Sequence, residues 1–292
     1  MFSGSLVAIV TPMRPDGAVD FVAWQRLIEL HLAQGTSAIV VGGTTGESPT
    51  LTDAELWELT ERACSQAQRR IQIIAGVGTS STASTIERAR RMSELPIDGL
   101  LVVTPAYNRP TQEGLYQHFA AVARASRAPV ILYNVPSRTA VDMLPATVHR
   151  LAQLPGIVGI KEAVADVERV RQLVALCGKN FSVLSGDDAT ARMTILAGAR
   201  GLISVTANVV PRAVSDMVAA AMSGDAAAAE RLDAPIAALH RDLFVEANPI
   251  PVKWALEKMG LIQSGIRLPM TPLSLACQPA VLAALSMAGV LD

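Results

Sequence analysis

Lysine is almost missing from this 292-residue sequence: of its 25 basic residues only four are lysines, Lys161, Lys179, Lys253 and Lys258. Tyrosine is as scarce, at Tyr107, Tyr116 and Tyr133. The three cysteines (Cys64, Cys177, Cys277) lie far apart with no C-x-x-C, which excludes a disulfide framework or a zinc knuckle and suits reduced thiols in a cytosol. Charge of one sign is lacking too. With 17% charged residues and a net charge of −1, nothing points to nucleic acid or an anionic membrane as partner. No apolar run is long enough to cross a bilayer, because the most alanine-rich stretch, 213–239, is broken by Asp216, Asp225, Glu230, Arg231 and Asp233. The apolar run Leu6–Val10 is too short for a signal peptide and has no basic region before it. The four histidines (His31, His118, His149, His240) have no H-x-H or H-E-x-x-H spacing, so metal ligation is not expected. A cytoplasmic protein is the simple expectation.

What is present is apolar: half of the residues are hydrophobic, enough for a large core. Short β-branched runs alternate with amphipathic segments of about 12–18 residues, the signature of repeated βα units. Strands are expected at Leu6–Val10, Ala38–Val41, Gln72–Ala75, Gly99–Val103, Val130–Tyr133, Val158–Lys161, Ser182–Leu184 and Gly201–Val205. Most are continuous apolar runs, as parallel strands buried on both faces require. Helices are expected at Phe21–Gln34, Asp53–Gln68, Ala83–Glu94, Gln112–Ser126 and Val164–Leu176, with Asp20, Thr52 (with Glu55) and Thr111 as caps. Eight units in roughly 205 residues predict an α/β fold, a (β/α)8 TIM barrel over 1–208. An open doubly wound sheet would usually carry G-x-G-x-x-G after its first strand, and here that strand runs into Thr11-Pro12-Met13. From about Val209 only helical periodicity remains, so 209–292 is expected to be a helical C-terminal domain of three or four helices packed on the barrel.

Chemistry in such a barrel gathers at the C-terminal ends of strands. Strand two ends in Gly42-Gly43-Thr44-Thr45-Gly46-Glu47-Ser48, either a carboxylate cradle or an ordinary tight turn; it lacks the lysine of a P-loop. Strands four and five end in Tyr107 and Tyr133, each an aromatic lid or a proton shuttle. Strand six ends in Lys161-Glu162. The ordinary reading is a snorkelling lysine or one paired with Glu162. The favoured reading, given so few lysines, is an amine whose pKa falls far enough to attack carbonyls as a Schiff-base nucleophile. Strand seven ends in Ser185-Gly186-Asp187-Asp188, where Asp before Ala189-Thr190-Ala191 reads as a helix cap rather than half of an acid–base pair.

Together GGTTGES at 42–48, TPAYN at 104–108, YNVPSRT at 133–139, GIKEA at 159–163 and SGDD at 185–188 resemble the dihydrodipicolinate synthase family of pyruvate-dependent class I aldolases, and the likeness extends to NPIPVKWAL at 248–256. The resemblance implies condensation of pyruvate with L-aspartate 4-semialdehyde, in lysine and diaminopimelate biosynthesis, with the chemistry residing in an amine and no metal or organic cofactor needed. Lys161 would be the Schiff-base nucleophile, and Tyr133, Thr44 and Tyr107 the proton relay, with Tyr107 contributed across a subunit interface. Thr45 would hold the pyruvate carboxylate, Ile203 would line the same pocket, and Arg138 would grip the carboxylate of the second substrate. A homotetramer built from tight dimers is also implied.

Two departures follow from the same resemblance. Ala106 stands where many relatives carry an aromatic at the subunit contact. Leu56, Ser80, Ser84 and Ala106 stand where feedback-inhibited relatives line a lysine pocket with polar and aromatic groups, so weak or absent inhibition by L-lysine is expected. The nearest alternative is a sister enzyme, N-acetylneuraminate lyase or a 2-keto-3-deoxy sugar acid aldolase. Such enzymes share the lysine and the tyrosine, but their polyhydroxyl pocket has no use for a carboxylate clamp such as Arg138. A non-catalytic, pyruvate-binding barrel is the alternative from outside enzymology.

Overall fold

The structure is a computed structural model that describes residues 1–291. Eight parallel strands close into a barrel in chain order: β1 (Gly4–Ala8), β2 (Ala38–Val41), β3 (Gln72–Gly76), β4 (Gly99–Val103), β5 (Val130–Asn134), β6 (Ile157–Glu162), β7 (Ser182–Ser185) and β8 (Gly201–Ser204). This is the TIM barrel expected from the alternating pattern. Closure leaves no unpaired strand edge, because β8 pairs with β1 from Gly4–Gly201 to Val7–Ser204. Alternation along each strand divides two cores. Leu6, Ala8, Ala38, Val40, Ile74 and Leu101 are among the residues that fill the interior, while Val7, Ile39, Ile73 and Val102 face the helices. Each Leu or Ile removed from water in this way contributes about 1.5–3 kcal/mol.

The connecting helices are α1 (Phe21–Ala33), α2 (Asp53–Ala67), α3 (Thr82–Met92), α4 (Gln112–Ala125), the single turn α5 (Pro136–Thr139), α6 (Pro145–Ala152), α7 (Val167–Cys177), α8 (Ala191–Leu196) and α9 (Pro211–Met222). Their starts are chemically specified. The Asp20 carboxylate accepts from Val22 and Ala23 N–H, Thr52 and Glu55 form a reciprocal capping box, and Thr111 accepts from Gly114 N–H. α7 begins three residues later than its periodicity suggests, because Asp166 caps it through Glu168 and Arg169 N–H.

Beyond α9 come α10 (Ala226–Asp233), α11 (Ala237–Asp242), α12 (Ile250–Lys258) and α13 (Gln278–Met287). Among the described residues, the helical region past Val209 therefore holds five α-helices rather than three or four. Pro235 lies in a 3-10 turn between α10 and α11, and Pro249 precedes α12, which divides the helical pattern into short pieces. α9 is tied to the end of α1 by Arg212 Nη2 to Ala33 O (2.9 Å) and to the loop after it by Ser215 Oγ to Gly35 O (2.9 Å). Among the described residues no helix is long and apolar enough to cross a membrane.

Candidate active site

The buried lysine and its aromatic neighbour owe their meeting to strand register. Tyr133 and Lys161 are paired positions on β5 and β6, so both point to the same side of the sheet, into the barrel. Lys161 is 5% and Tyr133 6% exposed, and the amine lies over the phenol ring, Nζ 4.5 Å from its centroid. Glu162, one residue on, must face the helices instead. There it accepts from Arg169 Nε (2.9 Å) and Asn134 Nδ2 (3.0 Å), and Arg169 reaches on to Asp142 at 2.8 Å. The reading of Lys161 as a partner of Glu162 is thus excluded by strand alternation. Burial pushes the Glu162 carboxyl up from its usual range, against the pull of Arg169.

Room for the lysine stem comes from Gly186, just past β7. A Cβ there would stand 2.9 Å from Lys161 Cε and 3.0 Å from its Cγ. The aspartates after it do separate work. Asp187 Oδ2 accepts from Thr190 N–H (2.9 Å), one residue before α8, but Asp188 turns the other way. Its carboxylate accepts from Ser204 Oγ and from Val205 N–H at 2.8 Å, tying β7 to the turn after β8. Asp188 is therefore a strand-to-strand tie, not the helix cap expected from its position.

Across the mouth, the loop after β2 is folded on itself by Gly46 N–H to Gly43 O (3.1 Å) and Glu47 N–H to Thr44 O (3.1 Å). Gly42 takes φ +64, which glycine tolerates without strain. Thr44 and Tyr133 line one small cavity at the barrel mouth. Thr44 also lines an adjoining cleft of about 530 Å³ together with Ser48, Ser80, Ala106 and Arg138. Thr45 is buried, and its hydroxyl accepts from Asn248 Nδ2 at 2.9 Å. Ile203 on β8 is buried among the interior side chains beside Leu184. Arg138 is exposed on α5, its Nη2 3.4 Å from the backbone oxygen of Asn248.

Tyr107 does not join this group. It is 95% exposed and holds a left-handed φ of +72, so a single chain brings only one of the two tyrosines to Lys161. Of the four positions compared with a lysine pocket, Ser80 and Ala106 line the cleft. Leu56 is buried beneath Gly42, and Ser84 lies exposed on α3 without lining it.

Sequence reasoning overlooked the residues that brace the β2 loop. Glu47, with φ +58 and 2% exposure, forms an ion pair with Lys253 of α12, itself 4% exposed. Burial lowers the Lys253 pKa, and the Glu47 charge opposes that shift. Arg267 adds its N–H to Glu47 (3.1 Å) and its guanidinium to Thr50 O (2.7 Å) and Glu55 (2.9 Å), which lowers the Glu55 pKa to about 2. The scarcity of lysine was a signal for Lys253 as well. Its helical setting concealed it.

Among the described residues no group of three or more His, Cys, Asp or Glu side chains is arranged to hold a metal ion. The buried histidines have neighbours in the fold: His31 with Thr36, His118 with Thr82, and His240 with Thr206 and Asp233.

The same architecture occurs in known proteins. The chain is 55% identical to a 4-hydroxy-tetrahydrodipicolinate synthase of Methylococcus capsulatus and 51% identical to one of Pseudomonas aeruginosa, in both cases over all of this chain and all of the relative. Its structure superposes on the chloride-inhibited dihydrodipicolinate synthase of Acinetobacter baumannii, solved with pyruvate, with a TM-score of 0.98 and 49% identity over the full length of both chains. A model of the dihydrodipicolinate synthetase family matches residues 1–288. With its eight-stranded barrel, its lysine near the end of β6 and likeness of this extent, the chain belongs to the dihydrodipicolinate synthetase family.

Proposed function

We propose that this chain is a lyase of the class I aldolase type that condenses pyruvate with L-aspartate 4-semialdehyde to 4-hydroxy-tetrahydrodipicolinate, for diaminopimelate and lysine biosynthesis. The observation that carries this reading is the placement of Lys161, a buried amine at a barrel strand end lying over the ring of Tyr133. The Lys161 amine adds to the keto carbon of pyruvate and expels water, leaving an imine. Loss of a methyl proton gives the enamine, whose carbon forms a bond to the aldehyde carbon of the second substrate. The amine of that substrate then attacks the imine carbon, and the Lys161 amine departs as the ring closes. Tyr133, Thr44 and Tyr107 move the protons. Thr45 holds the pyruvate carboxylate in a pocket that Ile203 lines, and Arg138 takes the carboxylate of the second substrate through its two-pronged guanidinium. The reacting group is the protein's own amine.

Tyr107 fits this scheme as a group lent to a second copy of the chain, since it stands fully outside its own barrel. The working assembly is a homotetramer of tight dimers. Three unpaired cysteines suit the reducing cytoplasm as its location. Non-aromatic side chains at Ser80 and Ala106 give L-lysine little to hold, so millimolar L-lysine leaves turnover unchanged; strong inhibition overturns that point. The test of the main reading is borohydride reduction in the presence of pyruvate, followed by mapping of the adduct by mass spectrometry. An adduct on Lys161, with turnover of aspartate semialdehyde and none of N-acetylneuraminate, is expected. An unmodified Lys161 overturns it.

A further inference from the structure

We propose that Asn248 is a positioning residue for pyruvate: its side-chain amide directs the Thr45 hydroxyl so that the O–H proton is left for the substrate carboxylate. This rests on the reading of Thr45 as the carboxylate holder. A hydroxyl has one proton to give and lone pairs to receive. Asn248 Nδ2 donates to Thr45 Oγ1 at 2.9 Å, and both side chains are buried, at 5% and 1% exposure. With an N–H occupying the oxygen from that side, the threonine proton points elsewhere. The amide contributes no charge. It fixes a direction, and a hydroxyl already oriented loses less freedom when the anion arrives.

Three further observations place Asn248 at this task. Its backbone oxygen accepts from Arg138 Nη2 at 3.4 Å, so one residue touches both proposed carboxylate holders. It directly precedes Pro249 and α12, and α12 is docked through Lys253 to Glu47, two residues past Thr45. The loop and the amide are thus held against each other by a second contact. Finally, Asn248 Oδ1 is buried with no hydrogen-bond partner. An orphan acceptor costs stability, and its presence calls for an explanation that the orienting role supplies.

The test is steady-state kinetics of Asn248→Ala and Asn248→Asp, with Thr45→Val and the double variant Thr45→Val/Asn248→Ala as references and melting temperatures as a check on folding. Asp is nearly isosteric, but its carboxylate accepts the threonine proton instead of donating to the oxygen. The pyruvate KM is expected to rise about tenfold in Asn248→Ala and further in Asn248→Asp, with kcat within about threefold of the parent. The KM for aspartate semialdehyde stays put, because the backbone contact to Arg138 survives every substitution. In the double variant, Asn248→Ala adds nothing to Thr45→Val. A filler role for Asn248 predicts the opposite order, with Asp near the parent and Ala worse, and that result overturns the proposal. If Thr45→Val raises the pyruvate KM while both Asn248 variants leave it unmoved, only this inference fails. If Thr45→Val itself leaves it unmoved, the reading of Thr45 fails first.

Discussion

On one side of the barrel mouth Lys161 and Tyr133 are held by the register of two adjacent strands; on the other, Thr45 and Glu47 are held by Asn248 and Lys253, more than two hundred residues further along the chain. The first arrangement needs only strand pairing and a glycine to clear the lysine stem. The second needs a buried ion pair, a buried amide and an arginine that bonds Glu47, the Thr50 backbone oxygen and Glu55. The lysine proposed as nucleophile and its tyrosine sit on the rigid strands, whereas Thr45, the proposed holder of the pyruvate carboxylate, sits on a loop clamped from outside. The difference teaches that damage to the two sides should separate: one loses chemistry with its fold intact, the other loses stability and affinity.

Lys161→Ala gives the sharpest break. It removes the proposed nucleophile, so kcat/KM falls at least about 10⁴-fold, more than about 5 kcal/mol of transition-state stabilisation, while the melting temperature stays near that of the parent. A residual rate within tenfold of the parent would sink the assignment. On the other side, Lys253→Met strands the Glu47 carboxylate in the interior and costs about 3–5 kcal/mol in urea unfolding. Replacing both partners, Lys253→Met with Glu47→Gln, restores part of that loss. If the single and double variants unfold alike, the pair is not what braces the loop.

Acid should separate the two sides by sign. Glu55 has a folded pKa of about 2, well below its unfolded value, so its bond to Arg267 is stabilising above about pH 4.5 and that stabilisation is lost as the pH falls toward 2. With both side chains partly exposed, it amounts to about 2 kcal/mol after screening. Glu162 is shifted the other way by burial, so its contribution is complete below its unfolded pKa and declines as the pH rises through its raised folded value. Urea unfolding of Glu55→Gln is therefore flatter than the parent below pH 4.5, and Glu162→Gln gains on the parent as the pH rises. Equal slopes for parent and Glu55→Gln would remove Arg267 from the brace. The smallest effect is expected of Gly186→Ala, whose Cβ presses on the lysine stem and on Ala163 Cβ: kcat drops about tenfold. Unchanged kcat would mean that the stem yields freely.

The side built on register was legible in the sequence. Parallel strands buried on both faces appear as apolar runs, and a lysine ending such a run among so few lysines marks itself. Strand ends erred by a residue or two, since hydrogen bonding rather than hydrophobicity ends a strand. The clamped side was not legible. Nothing near Glu47 signals Lys253, and nothing near Thr45 signals Asn248, because the pairing is made by how α12 docks, not by local pattern. Asp188 misled for the same reason. A carboxylate ahead of a helix is a cap by sequence logic, but tertiary contact with Ser204 and Val205 outbid it. Gly186 was visible as a letter only, since the side chain it makes room for lies on another strand.

The distance between Glu47 and Lys253 along the chain also orders events during synthesis. At about 5–20 residues per second, the β2 loop leaves the ribosome ten seconds or more before α12. Until then Glu47 has no cation to accompany it into the interior and stays hydrated, and Thr45 lacks its amide. β1 likewise waits for β8, and for the Asn208 side chain that bonds Val10 N–H at 3.0 Å and the Ala8 carbonyl at 2.9 Å. The first strand to be made is thus among the last to be finished, and the proposed carboxylate site is incomplete until residues past 253 are out.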